Sequence, residues 1–210
     1  ASVHAGNWAN CVDWCYWDYP LIELEGKTIG IIGFGRIGQA EGRIAKALGM
    51  NVVAYDLYPN DSGRAIAEYV DLDTLYARAD VISLHCNLTP ENTGMINKDS
   101  IAKMKDGVIL INCARGELMR ADDIIEGIET RKIGALGLDV IEHEEGIYHM
   151  DRRSDILANR NMAYLRQFPN VTMTQHIAFY TEEAVKSMAE SGIVNVVKCL
   201  KKQDNPNLIC

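Results

Sequence analysis

Three residues in the second half of this sequence have the types needed for one acid–base task. Arg115 stands in NCARGEL, Glu144 in GLDVIEHEE and His176 in TQHIAFYTEE; Glu144 lies 29 residues after Arg115 and His176 lies 32 after Glu144. Each follows a run rich in Val, Ile or Leu, so each falls where a strand gives way to a loop. An Arg presents a planar fork of donors that matches a carboxylate. A His exchanges protons near neutrality, and a Glu beside it favours its charged form. Together on one edge they would make an anion clamp with a tuned acid/base. Singly, each has a plainer reading: a surface ion-pair partner for Arg115, a solvated member of the acidic run for Glu144, and a hydrogen-bonded core residue for His176. His4, His85, His143 and His149 have no comparable context and are read as structural or surface residues.

A second constellation lies upstream. The run TIGII leads into GFGRIG, with glycines at 33, 35 and 38. In such a motif Gly33 permits a tight turn, Gly35 lets the backbone approach a pyrophosphate, and Gly38 allows close helix–strand packing. Arg36 and Ile37 open the helix that follows, whose free N–H groups and partial positive charge suit phosphates. Asp56 ends the next apolar run, 23 residues beyond Gly33. That is near the roughly 20 expected for an acid that binds the adenosine ribose. A carboxylate there repels a 2′-phosphate, so NAD is favoured over NADP.

These positions require a regular frame. Strands are expected at Thr28–Ile32, Asn51–Tyr55, Val81–His85, Val108–Asn112, Gly134–Asp139 and Val171–Thr174. Their nearly continuous Val and Ile fit strands buried on both faces. Helices are expected at Ile37–Leu48, Leu72–Arg78, Asp99–Lys105, Ala121–Arg131, Asp155–Phe168 and from Thr181 to about Leu200. Gly49 suits the end of the first, and Thr181 suits the N-cap of the last. Asn60–Gly63 reads as a turn and Glu142–Arg153 as a polar irregular insertion. Alternating strands and helices give an α/β fold, a doubly wound parallel sheet.

The 210 residues suffice for one domain with a full core, or a domain with a small appendage. A hydrophobic fraction of 48% and a charged fraction of 24% are ordinary for a globular protein. Net charge is −8 with no basic cluster, which argues against a nucleic-acid partner. No apolar run approaches the roughly 20 residues that span a bilayer, and ASVHAGNW has neither the basic start nor the apolar centre of a secretion signal. Cys11 and Cys15 have zinc-like spacing, but no second pair follows, so no metal site is expected. The scattered cysteines suit reduced thiols and a cytoplasmic location. The first twenty residues are crowded with Trp and Tyr, as on a surface that packs against something.

From about Trp8 to Tyr180, and on into the last helix, the sequence resembles the D-isomer-specific 2-hydroxyacid dehydrogenases. The N-x-x-R-G segment, the Glu after GLDV and the later His carry the likeness. NRNMAYLRQFPNV and HIAFYTEEA look most like the D-lactate dehydrogenase branch. NWANCVDWCYWDYPLIELEGKTIGIIGFGRIG looks more like hydroxypyruvate or glycerate dehydrogenases. The resemblance implies a Rossmann-like NAD-binding domain over 26–180. An interdomain and dimer-contact segment would occupy 1–25, and 181–210 would form a helix returning toward a substrate domain. Members build that substrate domain mainly from a long N-terminal segment, so most of it is expected to be missing here.

The resemblance also implies roles. Arg115 would hold the substrate carboxylate and polarise the adjacent carbonyl. His176 would give its proton to the carbonyl oxygen, and Glu144 would orient His176. Asp139 would contact the nicotinamide carboxamide region. Cys86, Asn87, Asn92, Cys113, Ala114 and, as a cofactor contact as well, Arg115 would line the nicotinamide side, with Phe179 and Tyr180 near the substrate. Gln175 and Asn87 stand where Pro is usual, which alters loop rigidity. The implied activity is NADH-dependent reduction of a small, pyruvate-like 2-keto acid to the D-2-hydroxy acid by a homodimer. Hydroxypyruvate or glyoxylate reduction and a non-catalytic NAD-binding module are the alternatives.

Overall fold

The computed structural model describes residues 3–13, 15–16, 21–148, 151 and 159–204. Strands β1 (Thr28–Ile32), β2 (Asn51–Tyr55), β3 (Glu68–Tyr69), β4 (Val81–Leu84), β5 (Val108–Asn112), β6 (Ile133–Leu138) and β7 (Val171–Met173) alternate with helices. The helices are α1 (Arg36–Ala47), α2 (Asp61–Arg64), α3 (Leu72–Arg78), α4 (Lys98–Lys103), α5 (Ala121–Glu129), α6 (Arg160–Leu165) and α7 (Glu182–Leu200). Among the described residues the strands form one sheet in the order β3-β2-β1-β4-β5-β6-β7, with every neighbouring pair parallel. The expected doubly wound sheet is what the chain forms.

Alternation along the strands supplies two cores, one on each face. Ile29, Ile31, Val52 and Ala54 join Phe34 on one side; Ile32, Val53, Ile82 and Leu110 join Leu75, Ile124 and Leu136 on the other. Each fully buried Ile or Leu contributes about 1.5–3 kcal/mol, against roughly 0–1 kcal/mol for an exposed ion pair such as Lys103–Asp73. Apolar burial therefore holds the frame. Helix α1 approaches its strands through the buried small residues Gly38, Gly42 and Ala45. Gly49, at φ +80°, ends the turn beyond it. Thr181 caps α7 by accepting the Ala184 N–H.

Three expectations need correction. Asn60–Gly63 is not a simple turn: Asn60 accepts the Gly63 N–H at 2.9 Å and caps the one-turn helix α2. β3 was not anticipated, because two residues at a sheet edge carry no periodicity. The helix expected from Asp155 runs over Arg160–Leu165 in the described residues, and 155–158 lie outside them. Residues 142–148 are turns, as expected for the insertion.

Because all strands are parallel, their carboxyl ends share one edge. Chain order reverses at β1 and β4, which opens a crevice there of the kind that binds ligands in doubly wound sheets. Reading across the sheet, that edge carries Asp56 after β2, Gly33 after β1, Cys86 after β4, Arg115 after β5, Asp139 after β6 and His176 after β7.

Candidate active site

At the crevice, Gly33 has φ +91°, and a Cβ on it would strike the Cys86 backbone. A Cβ on Gly38 would strike the Gly33 carbonyl. Only glycine lets the turn after β1 lie this close to both neighbours. Gly35 instead borders open space, with nothing within 4 Å of a Cβ built there. It is also the N-cap of α1 and brings no side-chain cap. Arg36, Ile37 and Gly38 thus begin a helix whose first N–H groups receive no side-chain cap. Asp56 faces this turn, accepting the Phe34 N–H at 2.6 Å and the Tyr58 N–H at 2.8 Å.

Beyond β4, Asn92 staples the loop that holds Cys86 and Asn87. Its Nδ2 donates to the Asn87 carbonyl at 2.7 Å and its Oδ1 accepts the Thr89 N–H at 2.8 Å. Burial pushes the Cys86 thiol up from its ordinary pKa, with the charge of Asp56 adding to it. That direction favours the neutral thiol.

Arg115 is held by its backbone. Asn112, fully buried at the end of β5, donates to the Arg115 carbonyl at 2.8 Å and accepts the Ala114 N–H at 3.0 Å. The guanidinium is exposed and donates to the Ala114 carbonyl at 2.6 Å. A Cβ on the next residue, Gly116, would strike the Ile141 carbonyl and the Glu142 nitrogen. The Arg115 loop therefore rests directly on the backbone that leads to Glu144. Cys113 lies beside it, its thiol pushed up by burial and by the charges of Asp139 and Glu41.

Glu144 and His176 meet. Their Oε1 and Nδ1 atoms are 2.6 Å apart, while Glu144 Oε2 accepts the Ile141 N–H at 3.1 Å. His176 has φ +57°, a left-handed conformation uncommon outside glycine. Asp139 holds that turn. Its carboxylate accepts the Thr174 hydroxyl and the Ile177 and Ala178 N–H groups, the last two at 2.9 and 2.8 Å. Its carbonyl accepts the His176 N–H at 2.8 Å. Burial works to raise the Asp139 pKa, but these hydrogen bonds and the nearby His176 outweigh it and hold the carboxyl below its ordinary value. Phe179 and Tyr180 follow, both exposed, with their rings edge to face at 6.0 Å.

A family model for the D-isomer specific 2-hydroxyacid dehydrogenase NAD-binding domain matches residues 1–178. The chain belongs to this family. It is 44% identical over 200 residues to a hydroxypyruvate reductase of Blautia hydrogenotrophica, matching 95% of this chain and 58% of that protein. It is 41% identical over 185 residues to a D-lactate dehydrogenase of Escherichia coli, matching 88% of this chain and 56% of that one. The structure superposes on the NAD+ complex of Lactobacillus jensenii D-lactate dehydrogenase with a TM-score of 0.85 at 33% identity, covering 98% of this chain and 63% of that one. The chain thus spans little more than half the length of the curated relatives it matches, and both branches expected from the sequence are among them.

Members of the family are NAD-dependent oxidoreductases acting on a CH–OH group, and the crevice of this chain fits that cofactor. The cradle at Gly33 and Gly38, the open space at Gly35 and the uncapped α1 N-terminus suit a pyrophosphate. Asp56 stands against the same turn, on the side of the adjoining strand.

Sequence reasoning missed the supports. Asn112 figures in the sequence as a strand end and as the first residue of the N-x-x-R-G segment, with no sign that its amide braces the Arg115 carbonyl. Thr174 was likewise read only as a strand terminus. His85 was read as structural or surface, and its contact with Glu41 at 2.6 Å carried no sequence signal across 44 residues.

Proposed function

We propose that the protein reduces a small 2-keto acid, pyruvate-like in size, to the D-2-hydroxy acid with NADH. The contact between Glu144 and His176 carries this reading, because it converts two ordinary residues into an oriented acid/base. When bound at the crevice, NADH supplies the hydride. Arg115 holds the substrate carboxylate through its forked donors and draws charge from the adjacent carbonyl. Glu144 engages His176 Nδ1 and orients the ring, and Nε2 passes a proton to the carbonyl oxygen. Asp139 fixes the turn bearing His176 and, in this reading, contacts the nicotinamide carboxamide. Cys86, Asn87, Asn92, Cys113 and Ala114 border that ring, and Phe179 and Tyr180 border the substrate.

Hydroxypyruvate or glyoxylate is the second reading, favoured by the 44% identity to a hydroxypyruvate reductase. Steady-state rates with pyruvate, hydroxypyruvate and glyoxylate, together with the chirality of the product, decide between them. NADH binding without turnover of any of these would leave a binding module and overturn both.

The reading extends to a cytoplasmic homodimer in which 1–25 lies at the interdomain and dimer contact, 26–180 binds NAD and 181–210 returns toward a substrate domain. Cys11, Cys15, Cys86 and Cys113, outside any disulfide among the described residues, and the exposed Trp8 support it. Trp14, Trp17 and Tyr19 of the same aromatic stretch lie outside the described residues. Among the described residues no helix is long and apolar enough to cross a membrane. Sedimentation as a monomer at micromolar concentration would count against the dimer.

A further inference from the structure

His85 follows β4 directly, and its side chain is only 11% exposed. Its Nε2 lies 2.6 Å from Oε2 of Glu41 and 2.9 Å from Oγ of Ser83, which is itself buried. Glu41 sits in the second turn of α1. The contact therefore joins two elements that otherwise serve opposite halves of a dinucleotide. One is the helix whose first turn faces the phosphates; the other is the 85–92 loop on the nicotinamide side.

The same joint is visible from the glycine turn. A Cβ on Gly33 would strike the backbone between His85 and Cys86, so the turn and the loop already touch at that point. The His85 N–H already donates to the Ile32 carbonyl at 2.7 Å, and the short Glu41–His85 contact adds a charge-assisted tie from α1 to the same point. The Glu41 charge also reaches Cys113, at the end of the next strand. The Glu41 side chain keeps 29% exposure, and His85, at 11%, is the more buried partner.

We propose that the Glu41–His85 pair is a positioning clasp for the cofactor. It fixes the phosphate-binding turn against the Cys86–Asn92 loop, so the setting of the nicotinamide ring depends on it while the adenosine and pyrophosphate do not. Neither residue touches the reacting atoms. Both act through the backbone of the loop.

The test compares NADH with ADP-ribose, which lacks the nicotinamide ring, by fluorescence titration and competition. Glu41→Ala is expected to raise the Kd for NADH about tenfold, within the range of a broken coupled pair, while that for ADP-ribose moves less than about twofold. Glu41→Gln keeps an acceptor for the His85 N–H and should return the NADH/ADP-ribose ratio to within about twofold of the unmodified protein. His85→Asn should reproduce the ratio change of Glu41→Ala, and it carries the comparison if Glu41→Ala does not fold by circular dichroism. Equal changes for both ligands, no change for either, or a Glu41→Gln variant as impaired as Glu41→Ala would each overturn the clasp and leave the pair a structural tie.

Discussion

Glu144 Oε1 lies 2.6 Å from His176 Nδ1, and the Glu144 side chain is only 19% exposed although it stands in the run EHEE. Its other oxygen is engaged by the Ile141 N–H. A carboxylate held at both oxygens orients its partner, unlike one that waves in solvent with its acidic neighbours.

With His176 as the proton carrier, reduction requires its protonated form and oxidation its neutral form. The two directions should show opposite pH dependences. His176→Ala should lower kcat by about 10²–10⁴-fold, and Glu144→Gln should lower kcat less while leaving the KM for the keto acid nearly unchanged. The measurement is steady-state kinetics in both directions for the unmodified protein and the two variants. A Gln variant with unchanged kcat would remove Glu144 from the machinery.

Arg115→Lys should raise the KM for the keto acid and lower kcat, since an ammonium cannot reproduce a forked contact. Losing one charged hydrogen bond corresponds to about 10–100-fold in kcat/KM. NADH affinity should change less than the KM for the keto acid, because the guanidinium is exposed and the proposed function gives it the substrate carboxylate. A variant impaired only in NADH binding would assign Arg115 to the cofactor instead.

Asp139→Asn should destabilise the fold by on the order of 2–4 kcal/mol, because an amide cannot accept all the hydrogen bonds that the carboxylate takes. The folded-state pKa of Asp139 is depressed, so its contribution is fully present above the unfolded value of about 3.9 and is lost as pH falls through the folded value. The stability gap between the two proteins should be flat near neutrality and shrink below about pH 4. Denaturant unfolding across that range measures it; a gap that widens in acid would show the sign to be wrong.

Asp56→Ala should erode a preference for NADH over NADPH by removing a charge that repels a 2′-phosphate. Titration of both cofactors reads this directly. Equal affinities in the unmodified protein would contradict the role.

The frame was legible because buried parallel strands write themselves as runs of Val and Ile, and GFGRIG marks the turn after the first. Helix α3 was anticipated residue for residue, since Asp71 caps it and a helical pattern fills it. Asp61–Arg64 was not, because one helical turn and a polar turn share the same Asn, Ser and Gly chemistry. At the site, Arg115, Glu144 and His176 were legible as residues at strand ends, and Gly33–Gly38 as a motif. The supports from Asn112, Thr174 and Glu41 were not. Their partners are distant in sequence or lie in the backbone, and a single buried polar residue announces no partner.

The seam at Gly116 bears on how such a site changes over generations. A methyl group there would occupy the place of the Ile141 carbonyl, so the loops bearing Arg115 and Glu144 are locked together by the absence of a side chain. Residue 116 can acquire no substituent without parting them, although it carries no reactive group. Under the proposed function, adaptation to a new keto acid is open instead at exposed neighbours such as Phe179 and Tyr180. A survey of mutants scored on turnover would register Gly116 as sharply as the histidine itself.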